Sequence, residues 1–146
     1  MRKGWAPLAL AAAFALGGAC AGDSTGVDNA GDLPDEDSTL VEPTFASIQR
    51  HVLTPVCAVC HTGSAAPLGL VLDPDVAWSN LVGVTSVQLD PLPLVFPGKP
   101  DSSYLVWKIE GRTGMVGARM PLGAARLSSD VILAIRTWIA AGALQQ

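Results

Sequence analysis

Six prolines (Pro67, Pro74, Pro91, Pro93, Pro97 and Pro100) fall between residues 64 and 100, and no apolar period is sustained among them. A proline has no N–H to donate and its ring collides with the preceding helical turn. This stretch therefore cannot become a long helix or a central strand. So long an irregular segment is uncommon in a compact domain. It becomes reasonable where a large rigid ligand supplies the core that the loops wrap. Order is expected on either side. Thr44 can cap a helix with Phe45, Ile48 and Val52 on one face, closed by Pro55. A short helix is expected over residues 75–81, and another after Ser102-Ser103, through Tyr104, Leu105, Val106, Trp107 and Ile109 to Gly111. Ser128 can cap a last helix whose face carries Val131, Ile132, Ile135, Trp138 and Ile139, with Gly142 placed to end it. Strand signals are weak and no repeat is present, so the expected fold class is mainly α, few helices joined by long loops.

The chain has 146 residues, 49% of them hydrophobic and 15% charged, enough for one packed domain. Its net charge of −4 is unevenly placed. Seven acids and no base lie between Asp23 and Glu42, whereas from Thr44 onward seven bases face six acids. The acidity belongs to a tail and the domain is nearly neutral. Clustered Lys and Arg, the footprint of a nucleic-acid binder, are missing.

Arg2 and Lys3, followed by an apolar run from Trp5 to small residues at Gly17-Gly18-Ala19, read as an export signal over residues 1–20. The run is shorter than the roughly 20 apolar residues of a membrane span. Cys20 follows it directly, as at a bacterial lipoprotein processing site, although the expected leucine (Leu16) stands four residues before the cysteine rather than three. Ordinary cleavage nearby, with Cys20 left as a free thiol, is the alternative. Either way the protein is exported, and acylation of Cys20 would tether it to a membrane. Residues 21–43, rich in Gly, Asp, Ser and Pro, read as a disordered acidic linker, and the domain is expected over 44–146.

Inside the domain stands Cys57-Ala58-Val59-Cys60-His61, the c-type haem attachment pattern. Two thiols three positions apart on one helical turn can reach the two vinyl groups on one edge of a porphyrin and form thioethers. The histidine that follows is directed beneath the ring, where an imidazole nitrogen can ligate iron. Three other readings compete for these residues. A structural zinc site needs four ligands, and beyond the cysteines the domain offers only His51 and His61. A thioredoxin-like dithiol needs a βαβ surround. A plain disulfide leaves His61 without a role.

A haem iron that carries electrons takes a sixth ligand, and a thioether suits a high potential. Met120, held before Pro121 in Arg119-Met120-Pro121-Leu122-Gly123, is the leading candidate, with Met115 and His51 as the others. Met115 reads otherwise as a gap-filling or exposed residue, and His51 as a surface residue of the first helix. Trp78, Trp107 and Trp138 are expected in the core. Lys108, Arg112, Arg119 and Arg126 could meet haem propionates or form a solvated face.

CxxCH, a distant Met-Pro and a capped final helix together resemble the monohaem class I cytochromes c. The block Pro97-Gly98-Lys99-Pro100-Asp101-Ser102-Ser103-Tyr104-Leu105-Val106, and the block Arg119-Met120-Pro121-Leu122-Gly123, Leu127-Ser128 and Ile135-Arg136-Thr137-Trp138-Ile139-Ala140-Ala141-Gly142-Ala143, are similar to segments of bacterial cytochrome c domains that occur alone on exported or lipid-anchored proteins or appended to larger membrane-associated ones. The resemblance covers residues 44–146. It implies a cytochrome c-like fold around one covalent haem c, held by Cys57 and Cys60, with His61 the proximal and Met120 the distal axial ligand. It also implies that the first and last helices pack together, and that one haem edge is exposed to redox partner proteins. The function expected is electron transfer without catalysis. A haem sensor or small haem enzyme with an open sixth position is the alternative, beside a non-haem module built on the CxxC.

Overall fold

Thr44 begins the first helix as its side chain suggests, its Oγ1 accepting from the Ser47 N–H at 3.2 Å. The computed structural model describes residues 40–146. The export signal, Cys20 and all but the last few residues of the linker therefore lie outside the described residues. Of those last few, Val41 already packs against the core, and the Glu42 N–H donates to Ser47 Oγ.

Helix α1 (Phe45–Ile48) runs without a break into a π-helix, Gln49–Cys57, which corrects the expectation that Pro55 closes the segment. In an α-register the ring of Pro55 would strike the carbonyl of His51, four residues back. The i→i+5 register moves the ring off that carbonyl. It carries the helix on to Cys57, and the Ala58 N–H then bonds Leu53 O at 2.7 Å. The apolar face of this double helix buries Phe45, Ile48, Val52 and Leu53.

The Pro-rich middle is mostly loop, as expected. Two short 3₁₀ turns, Gly63–Ala65 and Pro67–Gly69, precede α2 (Ala77–Leu81), which starts two residues later than the sequence suggests. The delay is a turn on Asp73, whose carbonyl accepts from both the Val76 and Ala77 N–H groups. Among the described residues there are no strands, only isolated bridges pairing Val82 with Val95 and Thr85 with Pro93. A third 3₁₀ turn, Pro100–Ser102, leads into α3 (Tyr104–Glu110). Gly111 ends α3 in the left-handed region at φ +74°, where a side chain would be strained.

The last helix, α4 (Ser129–Ala140), has the expected cap, Ser128 Oγ accepting from the Val131 N–H. It packs on α1 and α3. Phe45 and Trp138 meet with ring centroids 5.5 Å apart, so the first and last helices share one core. Trp138 Nε1 and Trp78 Nε1 donate to the carbonyls of Leu144 and Ala143, tying the C-terminal residues down. Trp107 is half-buried and donates to Asp101 O. Arg136 joins α4 to the rest by ion pairs with Asp101 and Glu110, and Arg112 pairs with the same two carboxylates. The two arginines hold the Asp101 carboxyl below its ordinary range. The described part of the protein is thus mainly helical, and no helix within it is long and apolar enough to cross a membrane.

Ile139 is wholly buried at the centre of this packing. Replacing it with Ala should lower stability by about 2–5 kcal/mol in chemical denaturation, through lost burial and the cavity left behind. A loss below about 1 kcal/mol would mean that α4 is not packed on the core as described.

Candidate functional site

The π-helix delivers its last residue, Cys57, at the edge of the core, where Cys57 is half-buried and touches the apolar cluster. The chain then makes one tight turn. Cys57 O accepts from the Cys60 N–H at 3.1 Å and from the His61 N–H at 2.9 Å. Those two bonds place the three residues on a single helical turn. The thiols are not joined to each other: both are free, and Cys60 is exposed. Burial pushes the Cys57 thiol up to about 11, because a thiolate there would be poorly solvated. About one molecule in a thousand would then carry that thiolate at pH 8. In haem-free protein Cys60 should therefore alkylate first and Cys57 at least about tenfold more slowly, read by peptide mass mapping. Equal rates would show that the two thiols have the same surroundings.

His61 is fixed by the loop that follows it. Its Nδ1 lies 3.0 Å from Leu70 O. A carbonyl can only accept, so Nδ1 carries the proton, and in the neutral ring Nε2 is left with its lone pair. Its main-chain carbonyl also accepts from the Leu72 N–H at 2.8 Å. Four further bonds brace the loop. Gln49 Nε2 donates to Leu72 O and Asn80 Nδ2 to Val71 O, while Asp73 accepts from Thr62 Oγ1 and from the Gly63 N–H. Such bracing is the usual support of a metal-ligating histidine. No sequence motif marks Gln49, Asp73 or Asn80, because their partners are main-chain atoms and one hydroxyl, Thr62 Oγ1, at 9 to 23 residues' separation.

Met120 comes from a separate segment, the loop between α3 and α4. It is half-buried, and its N–H donates to Lys108 O at 2.8 Å. Arg119 brackets it, donating to Met120 O and Ala124 O. Among the described residues no hydrogen bond links this segment to the Cys57–His61 turn. Met115 is half-buried in a turn closed on Arg112 O, and His51 is exposed on the π-helix. The basic side chains are committed to the protein itself: Arg112 to Asp101 and Glu110, Arg126 to Glu110 O, and Lys108 to Val116 O. Desolvation lowers the Lys108 pKa.

The donor set fits a covalent haem. Two unpaired thiols and an imidazole with a free Nε2 share one turn. Large apolar side chains are exposed beside both candidate ligand segments, Val59 and Leu68 near His61 and Val116 and Leu122 near Met120. Among the described residues no three or more His, Cys, Asp or Glu gather where they could hold a metal ion by themselves. Two open surface grooves of about 480 and 490 Å³ lie elsewhere: one is lined by Phe45, Gln49 and Arg50, the other by Arg126, Ile132 and Arg136. Neither includes the cysteines, His61 or Met120. No protein-family model, curated protein or solved structure matches the chain.

Proposed function

We propose that this protein is an exported electron carrier with a cytochrome c-like fold, holding one covalent haem c through Cys57 and Cys60, with His61 and Met120 as axial ligands. The observation that carries the reading is the Cys57–His61 turn itself: two free thiols beside an imidazole whose Nδ1 donates to Leu70 O at 3.0 Å. When bound, the haem supplies an iron that gains and loses one electron. The chain's own residues do the rest. Cys57 and Cys60 anchor the ring, and the loop from Thr62 to Asp73 holds the imidazole in one tautomer. The apolar cluster under Cys57 keeps water from that side. The segment hung on α3 offers the Met120 thioether. The N-terminal signal, the Cys20 anchor and the acidic linker would place this domain on a tether outside the cytoplasm, within reach of redox partner proteins.

A zinc or disulfide module is less well supported. Zinc would need further ligands gathered beside the cysteines, and among the described residues no three or more His, Cys, Asp or Glu do so. A disulfide gives the braced imidazole no role, and the thiols are unpaired. The test is a haem-staining gel with intact mass on protein made in a host with cytochrome c maturation. The reading expects one haem added to the mass and, on the membrane-bound form, the mass of an acylated Cys20. A colourless protein from that host would overturn it.

A further inference from the structure

Two polar side chains of α3 are buried, and both serve the loop that carries Met120. Tyr104 is 1% exposed and Lys108 is 8% exposed. Four residues apart, they share one face of the helix. Both converge on the main chain of Val116. The Tyr104 hydroxyl accepts from the Val116 N–H at 3.0 Å and lies 3.3 Å from Val116 O, to which it donates. Lys108 Nζ donates to the same carbonyl at 2.9 Å, and Lys108 O accepts from the Met120 N–H. Gly117 turns the chain at φ +74°, in the left-handed region where a side chain would be strained. Among the described residues no carboxylate pairs with this ammonium. The ammonium has this one carbonyl and the Tyr104 ring, 5.9 Å away at its centroid, and burying it with so little is unfavourable. What the arrangement does is fasten residues 111–120 to α3 at Val116 and Met120.

We infer that Tyr104 and Lys108 are positioning residues for Met120, clamping its loop to α3 so that the thioether stays at the iron. This rests on the His61/Met120 reading. A purely structural clamp would give stability and nothing more. A positioning clamp also governs how often the sixth coordination position opens.

The experiment uses full-length holoprotein with Tyr104→Phe, Lys108→Met, Met120→Ala and Trp78→Phe. The last removes a bond of similar length, from Trp78 Nε1 to Ala143 O at 2.9 Å, on another segment. The readouts are the Met–iron charge-transfer absorption of the oxidised form, carbon monoxide binding by the reduced form, and amide hydrogen exchange at Val116 and Met120. Tyr104→Phe and Lys108→Met should keep their haem. The open fraction and both exchange rates should rise at least about tenfold, the factor allowed by losing one buried hydrogen bond; Lys108→Met removes one such bond and Tyr104→Phe two. Trp78→Phe should lower Tm and leave all three readouts in place. If the two α3 variants lose only Tm, the inference is overturned. Should Lys108→Met fail to accumulate, Tyr104→Phe, which removes one oxygen atom, decides alone. An unchanged spectrum in Met120→Ala would remove the axial-ligand reading and the clamp with it. An opened site in Met120→Ala beside an unaltered Tyr104→Phe would overturn the clamp only.

Discussion

His61→Ala should abolish stable holoprotein, cutting the haem-stained yield by at least about tenfold to a hundredfold while the polypeptide still accumulates. The lower bound follows from support residues: removing a partner that merely orients a metal ligand costs about 10–100-fold, and this substitution removes the ligand. The fold should survive better than the cofactor. His61 is only half-buried, and its main-chain bonds to Cys57 and Leu72 do not need the ring. What disappears is the imidazole whose Nδ1 donates to Leu70 O, and with it the lone pair on Nε2. The measurement is haem stain against immunoblot in one gel, with far-ultraviolet circular dichroism on the purified chain. Normal haem yield would make the CxxCH match a coincidence. Loss of the helical signal together with haem would instead assign His61 a structural role.

The helix ends were the legible part of the fold. Thr44, Ser128 and Gly111 act through bonds or dihedrals confined to a few neighbouring residues, so local chemistry suffices to place them. The same locality misled at Pro55. A proline disfavours the α-register, but a π-register carries the helix through Pro55 to Cys57. That change of hydrogen-bond register is what the proline alone did not announce. The Cys57–His61 turn was visible because its residues lie within five consecutive positions.

The supports of that turn were not visible. Gln49 reaches 23 residues along the chain to Leu72 O, and Asn80 reaches 9 back to Val71 O. Lys108 is the sharpest case. Read along the sequence it suits a solvated face or a propionate partner, because α3 is too short to show which side turns inward. Its burial is imposed by residues 111–120 folding back over it, with Val116 O taking the ammonium. A main-chain acceptor leaves no mark in the sequence, so a residue whose hydrogen-bond acceptor is a carbonyl looks unpartnered until the fold is known. Of the two candidate ligand segments, one is a motif and the other a lone Met-Pro.

That asymmetry makes Met120→Ala the more informative of the two ligand substitutions. Haem should remain attached, since Cys57, Cys60 and His61 are untouched. The loop should also stay in place, because the tie from the Met120 N–H to Lys108 O belongs to the main chain and Arg119 still brackets the segment. Only the thioether is lost. The oxidised protein should then lack its Met–iron charge-transfer band, and the reduced protein should bind carbon monoxide readily. Its potential should fall by about 0.1–0.3 V, a part of the roughly 0.8 V range that axial ligation spans. Met115→Ala and His51→Ala serve as references and should leave the band intact, the first because Met115 sits in a turn closed on Arg112 O, the second because His51 is exposed on the π-helix. If Met120→Ala keeps the native spectrum and one of these loses it, the distal ligand moves to that residue. If wild-type protein already binds carbon monoxide with no Met–iron band, the sixth position is open. Electron carriage then gives way to a sensor or a small haem enzyme.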